Sequence, residues 1–106
     1  EELKKMDVEM GNATRKIFRE AKAGLHDKGD VVIHLKPGPD GSGVQLDIKS
    51  KVMALFGSQI RASVLEEIEA YGLNDLIVLV HDEGALDYAI RARVQTAIER
   101  ALREEQ

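Results

Sequence analysis

Histidine is the side chain best suited to proton transfer and metal binding near neutral pH, and the sequence holds three: His26, His34 and His81. They are far apart in the chain, and none belongs to a metal-ligand spacing such as His-x-x-x-His. The run His81-Asp82-Glu83 with Asp87 gathers carboxylates that could surround a cation. The same carboxylates suit the start of a helix, where negative charge meets the positive end of the backbone dipole. The second reading is preferred, and no metal site is expected. The segment Pro37–Gly43 contains both prolines and three of the nine glycines. It precedes a strand pattern rather than a helix and lacks the terminal Lys-Ser/Thr of a phosphate-binding loop, so it reads as a hairpin tip. Arg91, Arg93, Arg100 and Arg103 form a basic series balanced by Glu99, Glu104 and Glu105. Such a series is either a solvated helix face or a docking surface for an acidic partner. No nucleophile, base or metal constellation emerges, so the chain is expected not to be an enzyme by itself.

The 106 residues fit one domain, 1–106, with 43% hydrophobic and 32% charged residues. Fifteen basic against nineteen acidic side chains leave a net charge of −4, which argues against a nucleic-acid surface. Tryptophan is absent and Phe and Tyr total four, so few platforms for base stacking exist. The lack of cysteine excludes disulfides, thiolate zinc sites, iron–sulfur clusters and a thiol nucleophile of the chain's own. No apolar run approaches the ~20 residues of a membrane span, and Glu1–Lys5 does not read as a signal peptide. A cytoplasmic domain without a membrane partner is the expectation.

Residues 1–11 have no clean period and are expected to form a flexible lead-in. Ala13, Ile17, Phe18 and Ala21 recur at helical spacing, with Asn12 as N-cap and Gly24 as stop, which predicts a short first helix. Val31, Ile33 and Leu35 alternate with His34 and Lys36. Val44, Leu46 and Ile48 alternate with Gln45, Asp47 and Lys49. Two such runs joined by seven residues predict an antiparallel hairpin with one wet face. A long helix follows from Ser50 or Lys51, with Val52, Leu55, Phe56, Ile60, Val64, Leu65 and Ile68 as its apolar stripe. Gly57 lies inside it, and Gly72 closes it. Leu76–Val80 reads as a strand buried on both faces, flanked by helices on more than one side. A last helix, about Gly84 to Arg103, turns Leu86, Ile90, Val94, Ala97, Ile98, Ala101 and Leu102 inward. The strand–helix–strand unit predicts a right-handed parallel crossover. The fold class is α+β in the order α-β-β-α-β-α: a small mixed three-stranded sheet packed by two long helices and an N-terminal helix.

Two motifs carry a family resemblance. Phe56-Gly57-Ser58-Gln59-Ile60-Arg61, followed by Val64-Leu65-Glu66, resembles the Phe-Gly-Asp-x-Ile-Arg helix of the citrate lyase acyl carrier protein, the gamma subunit. Asp82-Glu83-Gly84-Ala85-Leu86-Asp87-Tyr88-Ala89-Ile90-Arg91-Ala92-Arg93 resembles that family's last-helix signature in the expected register. The resemblance covers about residues 21–102, with the malonate decarboxylase carrier subunit as a more distant match.

The resemblance implies a non-catalytic carrier subunit within a multi-subunit lyase complex. Such a carrier bears a phosphoribosyl-dephospho-CoA arm on a serine, and its partners are the lyase alpha and beta subunits and a prosthetic-group transferase. The arm's thiol holds the acetyl or citryl group, so a chain without cysteine can still serve. The family's attachment pattern, Ala-Gly-x-x-acidic-Ser-(Gly or Ser)-Asp, aligns with Ala23-Gly24-Leu25-His26-Asp27-Lys28-Gly29-Asp30. Lys28 therefore occupies the attachment position, flanked by Asp27, Gly29 and Asp30. Tyr88 and Ser58 stand where relatives carry cysteine and aspartate. Ser42, in the Gly-rich loop, is the alternative hydroxyl for attachment. Arg61, Asp87, Arg91 and Arg93 are the residues expected to dock partners. A scaffold or regulatory subunit that keeps the docking face but carries no arm is the competing reading.

Overall fold

The computed structural model describes residues 15–103. Its elements run β1 (Ala21–Ala23), β2 (Val31–Pro37), β3 (Val44–Ser50), α1 (Met53–Ala70), β4 (Leu76–Asp82) and α2 (Asp87–Leu102). The class is α+β, as the alternating and helical periods require. The four strands form one mixed sheet in the order β1-β2-β4-β3.

The strand order overturns the expected hairpin. β2 pairs antiparallel with β4, β4 pairs parallel with β3, and β2 and β3 lie on either side of β4 without touching. The reason is apolar content. Leu76–Val80 is the most hydrophobic strand and takes an interior position, where both of its edges pair. The crossover from β3 through α1 to β4 is parallel, as expected. The first helix is also replaced over the described residues. Arg15 bridges to Leu73, and Ala21–Ala23 adds β1 to the edge of β2. Ile17 and Ala23 are buried while Phe18 is 58% exposed, so the segment buries alternate small groups against α2 rather than a helical face. The expected N-cap Asn12 and the lead-in 1–11 lie outside the described residues.

Period two assigns the two sides of the sheet. Ile33, Val80 and Ile48 share one side with Leu35, Val78 and Leu46, and both helices pack there. β4 alternates between buried and half-buried positions, so helices cover one face of it and not two. Ile60, Val64 and Ile68 of α1 and Ile90, Val94, Ala97, Ile98 and Ala101 of α2 complete the core. The apolar stripe of α1 is narrower than its sequence suggests, because its first turns project past the end of the sheet. Leu55 and Phe56 are exposed for that reason, at 79% and 52%, and Leu86, just before α2, is 63% exposed. Gly57 is buried under the side chain of Met53, 3.1 Å from where a Cβ would stand. Gly72, with φ +68°, closes α1 after Tyr71.

Asp75 is a second turn-former. It holds φ +55°, accepts the Gly43 N–H at 2.9 Å and, through its carbonyl, the Gly38 N–H at 2.8 Å. The Gly43 and then the Gly41 N–H groups, with Lys16, keep its carboxyl below the usual range, and the Gly38 and Gly43 bonds fasten the Pro37–Gly43 loop.

Gly24 ends β1 at φ +101°, and a Cβ there would lie 1.7 Å from the Val31 carbonyl oxygen. Gly29 has φ +83° with open space around it. Gly24→Ala is therefore expected to destabilise the fold by more than about 2 kcal/mol, and Gly29→Ala by only ~1 kcal/mol. Urea unfolding of the two variants checks the order.

Candidate functional site

Residues 25–30 form a tight turn between β1 and β2, at the end of the sheet where both helices begin. Its base is fixed by one carboxylate. The Asp30 side chain accepts the Arg93 Nε–H at 3.1 Å and the Arg93 Nη2–H at 2.8 Å. It also accepts the backbone N–H of Val31 at 2.7 Å and of Leu25 at 3.2 Å. Backbone bonds complete the clamp: Gly29 N–H to the Glu83 carbonyl at 2.8 Å, and Glu83 N–H to the Asp30 carbonyl at 2.9 Å. The Arg93 bonds, then the Val31 N–H, hold the Asp30 carboxyl below the ordinary aspartate range. Asp27 accepts the Asp30 N–H through its own carbonyl, while Asp27, Lys28 and Gly29 are exposed. The turn is thus a pinned base with residue 28 at a solvent-facing tip.

Ser42 is at the other end of the seven-residue strand β2. Its hydroxyl oxygen is buried and lacks a hydrogen-bond partner among the described residues, so it is not offered to solvent.

The residues expected to dock partners are distributed differently. Arg61 is exposed. Arg93 is the Asp30 clamp. Asp87 and Arg91 join a network between the helices. The buried Ser63 hydroxyl donates to Asp87, and Arg91 donates to Asp87 at 2.8 Å, Glu66 at 2.8 Å and Glu67 at 3.0 Å. Ser63 and then Arg91 lower the Asp87 carboxyl. Sequence reasoning gave no place to Ser63 or Glu67. Their signal was the polar gap at Ser63 between Ile60 and Val64, which faces a helix partner that the sequence does not identify.

Met53, Leu55 and Phe56 in the first turn of α1, Leu86 and Tyr88 at the start of α2, and Leu25 in the turn itself are exposed apolar side chains. Phe56 and Leu86 line an apolar groove of about 300 Å³ together with Ile60 and Ile90. The carboxylates near the end of β4 serve the backbone: buried Asp82 accepts the Ser50 hydroxyl at 2.8 Å and the Ala85 N–H at 2.9 Å, and Asp87 opens α2. Among the described residues, no group of three or more His, Asp or Glu side chains is arranged to hold a metal.

Comparison with known proteins gives a consistent result. Residues 18–101 match the acyl carrier protein family model described as malonate decarboxylase delta subunit (MdcD). The citrate lyase acyl carrier protein of Halothermothrix orenii is 40% identical over 85 residues, spanning 80% of this chain and 88% of that one. That of an Enterobacter species is 41% identical over 90 residues, spanning 85% and 91%. A chain in the crystal structure of a Pseudomonas malonate decarboxylase hetero-tetramer with malonate shares the fold, with a TM-score of 0.72. It is 21% identical and covers 84% of this chain and 90% of its own.

Asp30 carries the first prediction on this site. Its carboxyl titrates lower folded than unfolded, where the value is ~3.9. Its stabilising contribution is therefore complete above that value and is lost as pH falls through the folded value. Asp30→Asn is expected to be less stable than wild type at pH 7, with the gap closing as the pH is lowered below about 4. Denaturant midpoints across that range measure it. A gap that stays constant with pH refutes the clamp.

Proposed function

The chain belongs to the acyl carrier protein family that includes the malonate decarboxylase delta subunit and the citrate lyase acyl carrier proteins, and from that premise we propose that it serves as the carrier-type subunit of a citrate-lyase-type complex. Members of this family are non-catalytic carrier subunits of lyase complexes, and this chain is a non-catalytic subunit of that kind. The observation that carries the proposal is the pinned turn, whose clamp leaves residue 28 facing solvent. A carrier needs such a rigid base under a freely swinging attachment. The exposed apolar side chains beside the turn suit docking by lyase alpha and beta subunits, with Arg61 at the margin. Asp87, Arg91 and Arg93 act instead by holding the turn and helices in place for that contact. No helix among the described residues is long and apolar enough to cross a membrane, which fits work in the cytoplasm.

The side chain at the tip does not fit the family's arm. A phosphoribosyl-dephospho-CoA group presenting acetyl or citryl needs a hydroxyl for its phosphodiester, and Lys28 offers nitrogen in place of oxygen, as a group of N–H donors without an acceptor. A protonated amine has no lone pair to bond phosphorus. Ser42 gives no substitute, since its oxygen is buried. This one residue favours the second reading, a scaffold or regulatory subunit that docks the lyase partners without an arm.

The two readings part on intact mass after co-expression with the prosthetic-group transferase. We expect the wild-type chain to keep its unmodified mass, Lys28→Ser to gain the mass of the arm, and both to pull down lyase subunits. A modified wild-type chain, mapped by peptide mass, restores the carrying role. Failure of both chains to be modified or to bind lyase subunits overturns the functional proposal.

A further inference from the structure

β3 is an edge strand. It pairs with β4 on one side, and among the described residues no strand takes the other. The loop before it fixes which backbone groups face outward. The Gly43 carbonyl accepts the Leu76 N–H at 3.1 Å, so the trans peptide aims the Val44 N–H away from β4. Alternation then sends the N–H and C=O groups of Gln45, Asp47 and Lys49 to β4, and those of Leu46, Ile48 and Ser50 to the open edge. Helix α1 does not close that edge, since Leu46 and Ile48 stay half-exposed. A groove of about 380 Å³ separates them from the Met53 side of α1.

An open edge is a template for a further strand, and the side chains of β3 select which strand fits. On the face away from the helices, Gln45, Asp47 and Lys49 are exposed. They present a neutral, an acidic and a basic group at successive two-residue steps. A two-fold axis perpendicular to the sheet lays β3 antiparallel beside the β3 of a second copy. Centring that axis on Asp47 sets Asp47 against the partner's Asp47, and centring it on Lys49 sets Lys49 against the partner's Lys49. Like charges directly opposite oppose pairing. Centring it on Leu46 puts Asp47 opposite the partner's Gln45 and matches no charges. Centring it on Ile48 places Asp47 opposite the partner's Lys49 on both sides of the axis. These are non-hydrogen-bonded positions, where facing side chains come closest.

We propose that the β3 edge is a self-association surface, on which a second copy of this chain adds its own β3 in the register centred on Ile48. Ile48 exchanges both backbone bonds with the partner's Ile48, and Leu46 does the same with the partner's Ser50. The two Asp47–Lys49 pairs lock the register on the open face. On the helix side, the paired isoleucines and Met53, 45% exposed in the single chain, cover apolar surface. The two sheets become one continuous sheet and each loses its β3 edge. This surface uses the Met53 and Gly57 side of α1, whereas the groove at the helix starts uses Phe56 and Ile60. It does not involve residue 28, so it goes beyond the carrier role and stands whether or not an arm is attached.

Light scattering and sedimentation equilibrium of the full chain, over about a hundredfold range of concentration, should show monomer passing to dimer. Asp47→Lys and Lys49→Asp each convert both cross-strand pairs to like charges and should weaken the dimer about tenfold or more. Circular dichroism of each variant should match wild type, because both side chains are exposed. Mixed in equal amounts, the two variants should associate with each other about as strongly as wild type does with itself, since every pair then joins opposite charges. The double reversal on one chain should recover the dimer for the same reason. Hydrogen exchange should slow with concentration at the Leu46, Ile48 and Ser50 N–H groups, while those of Gln45, Asp47 and Lys49 are protected by β4 throughout. A chain that stays monomeric over the whole range overturns the proposal. So does a dimer that ignores the single reversals, is not regained in the mixture, or protects amides only on another surface. Protection of the β3 edge that appears only on adding a lyase subunit assigns the edge to that subunit and overturns self-pairing.

Discussion

Asp30 and Arg93 are separated by 63 residues, and their meeting fixes where the ends of β1, β2 and α2 lie. One carboxylate takes both arms of a guanidinium fork and two backbone N–H groups. A surface ion pair is worth little by itself, because water screens it and two long side chains must be ordered. This pair differs in that Asp30 is mostly covered, and its hydrogen bonds also satisfy backbone donors at a strand start. Charge-assisted bonds of this kind are about twice as strong as neutral ones. Gly24 and Gly29 then follow as consequences. With Asp30 held against α2, the chain must turn left-handed at both positions to leave β1 and enter β2.

Ser63, Asp87 and Arg91 do for the helices what Asp30 and Arg93 do for the turn. A buried serine between two apolar turns needs a partner, since an unpaired buried hydroxyl costs roughly 1–3 kcal/mol. Asp87 supplies it, and Arg91 neutralises Asp87 while reaching Glu66 and Glu67. The result sets the spacing of the two helix starts and with it the apolar groove beside the turn. The arginines of α2 therefore work inside the molecule, and the surface left for partners is mainly hydrophobic.

Period-two alternation was readable residue by residue, and it assigned the faces of β2 and β3 correctly. It carries no information about which strand is whose neighbour, so the β4 insertion between β2 and β3 lay beyond it. Residues 15–23 were misread because Ala, Ile and Phe at three- and four-residue spacings satisfy a helical pattern, while the backbone gains more by pairing with β2 and with Leu73. The over-wide stripe of α1 has a similar origin. Periodicity reports which side chains share a helix face, not where the sheet beneath that face stops. At the site, the flanking Gly24, Gly29 and Asp30 were legible from the family pattern. Arg93 was legible as a motif residue, yet its role as their clamp required the third dimension.

The turn separates two requirements that a carrier must meet. Its base demands particular residues: a glycine where no Cβ fits, an aspartate that can take four bonds, an arginine on α2. Its tip demands none, since residue 28 faces solvent and Gly29 has open space around it. A change from hydroxyl to amine at the tip therefore leaves the fold untouched while changing which bonds can be made there. The same independence means that loss of covalent attachment need not empty the site of function. A subunit whose base, groove and partner surface persist can still organise a complex.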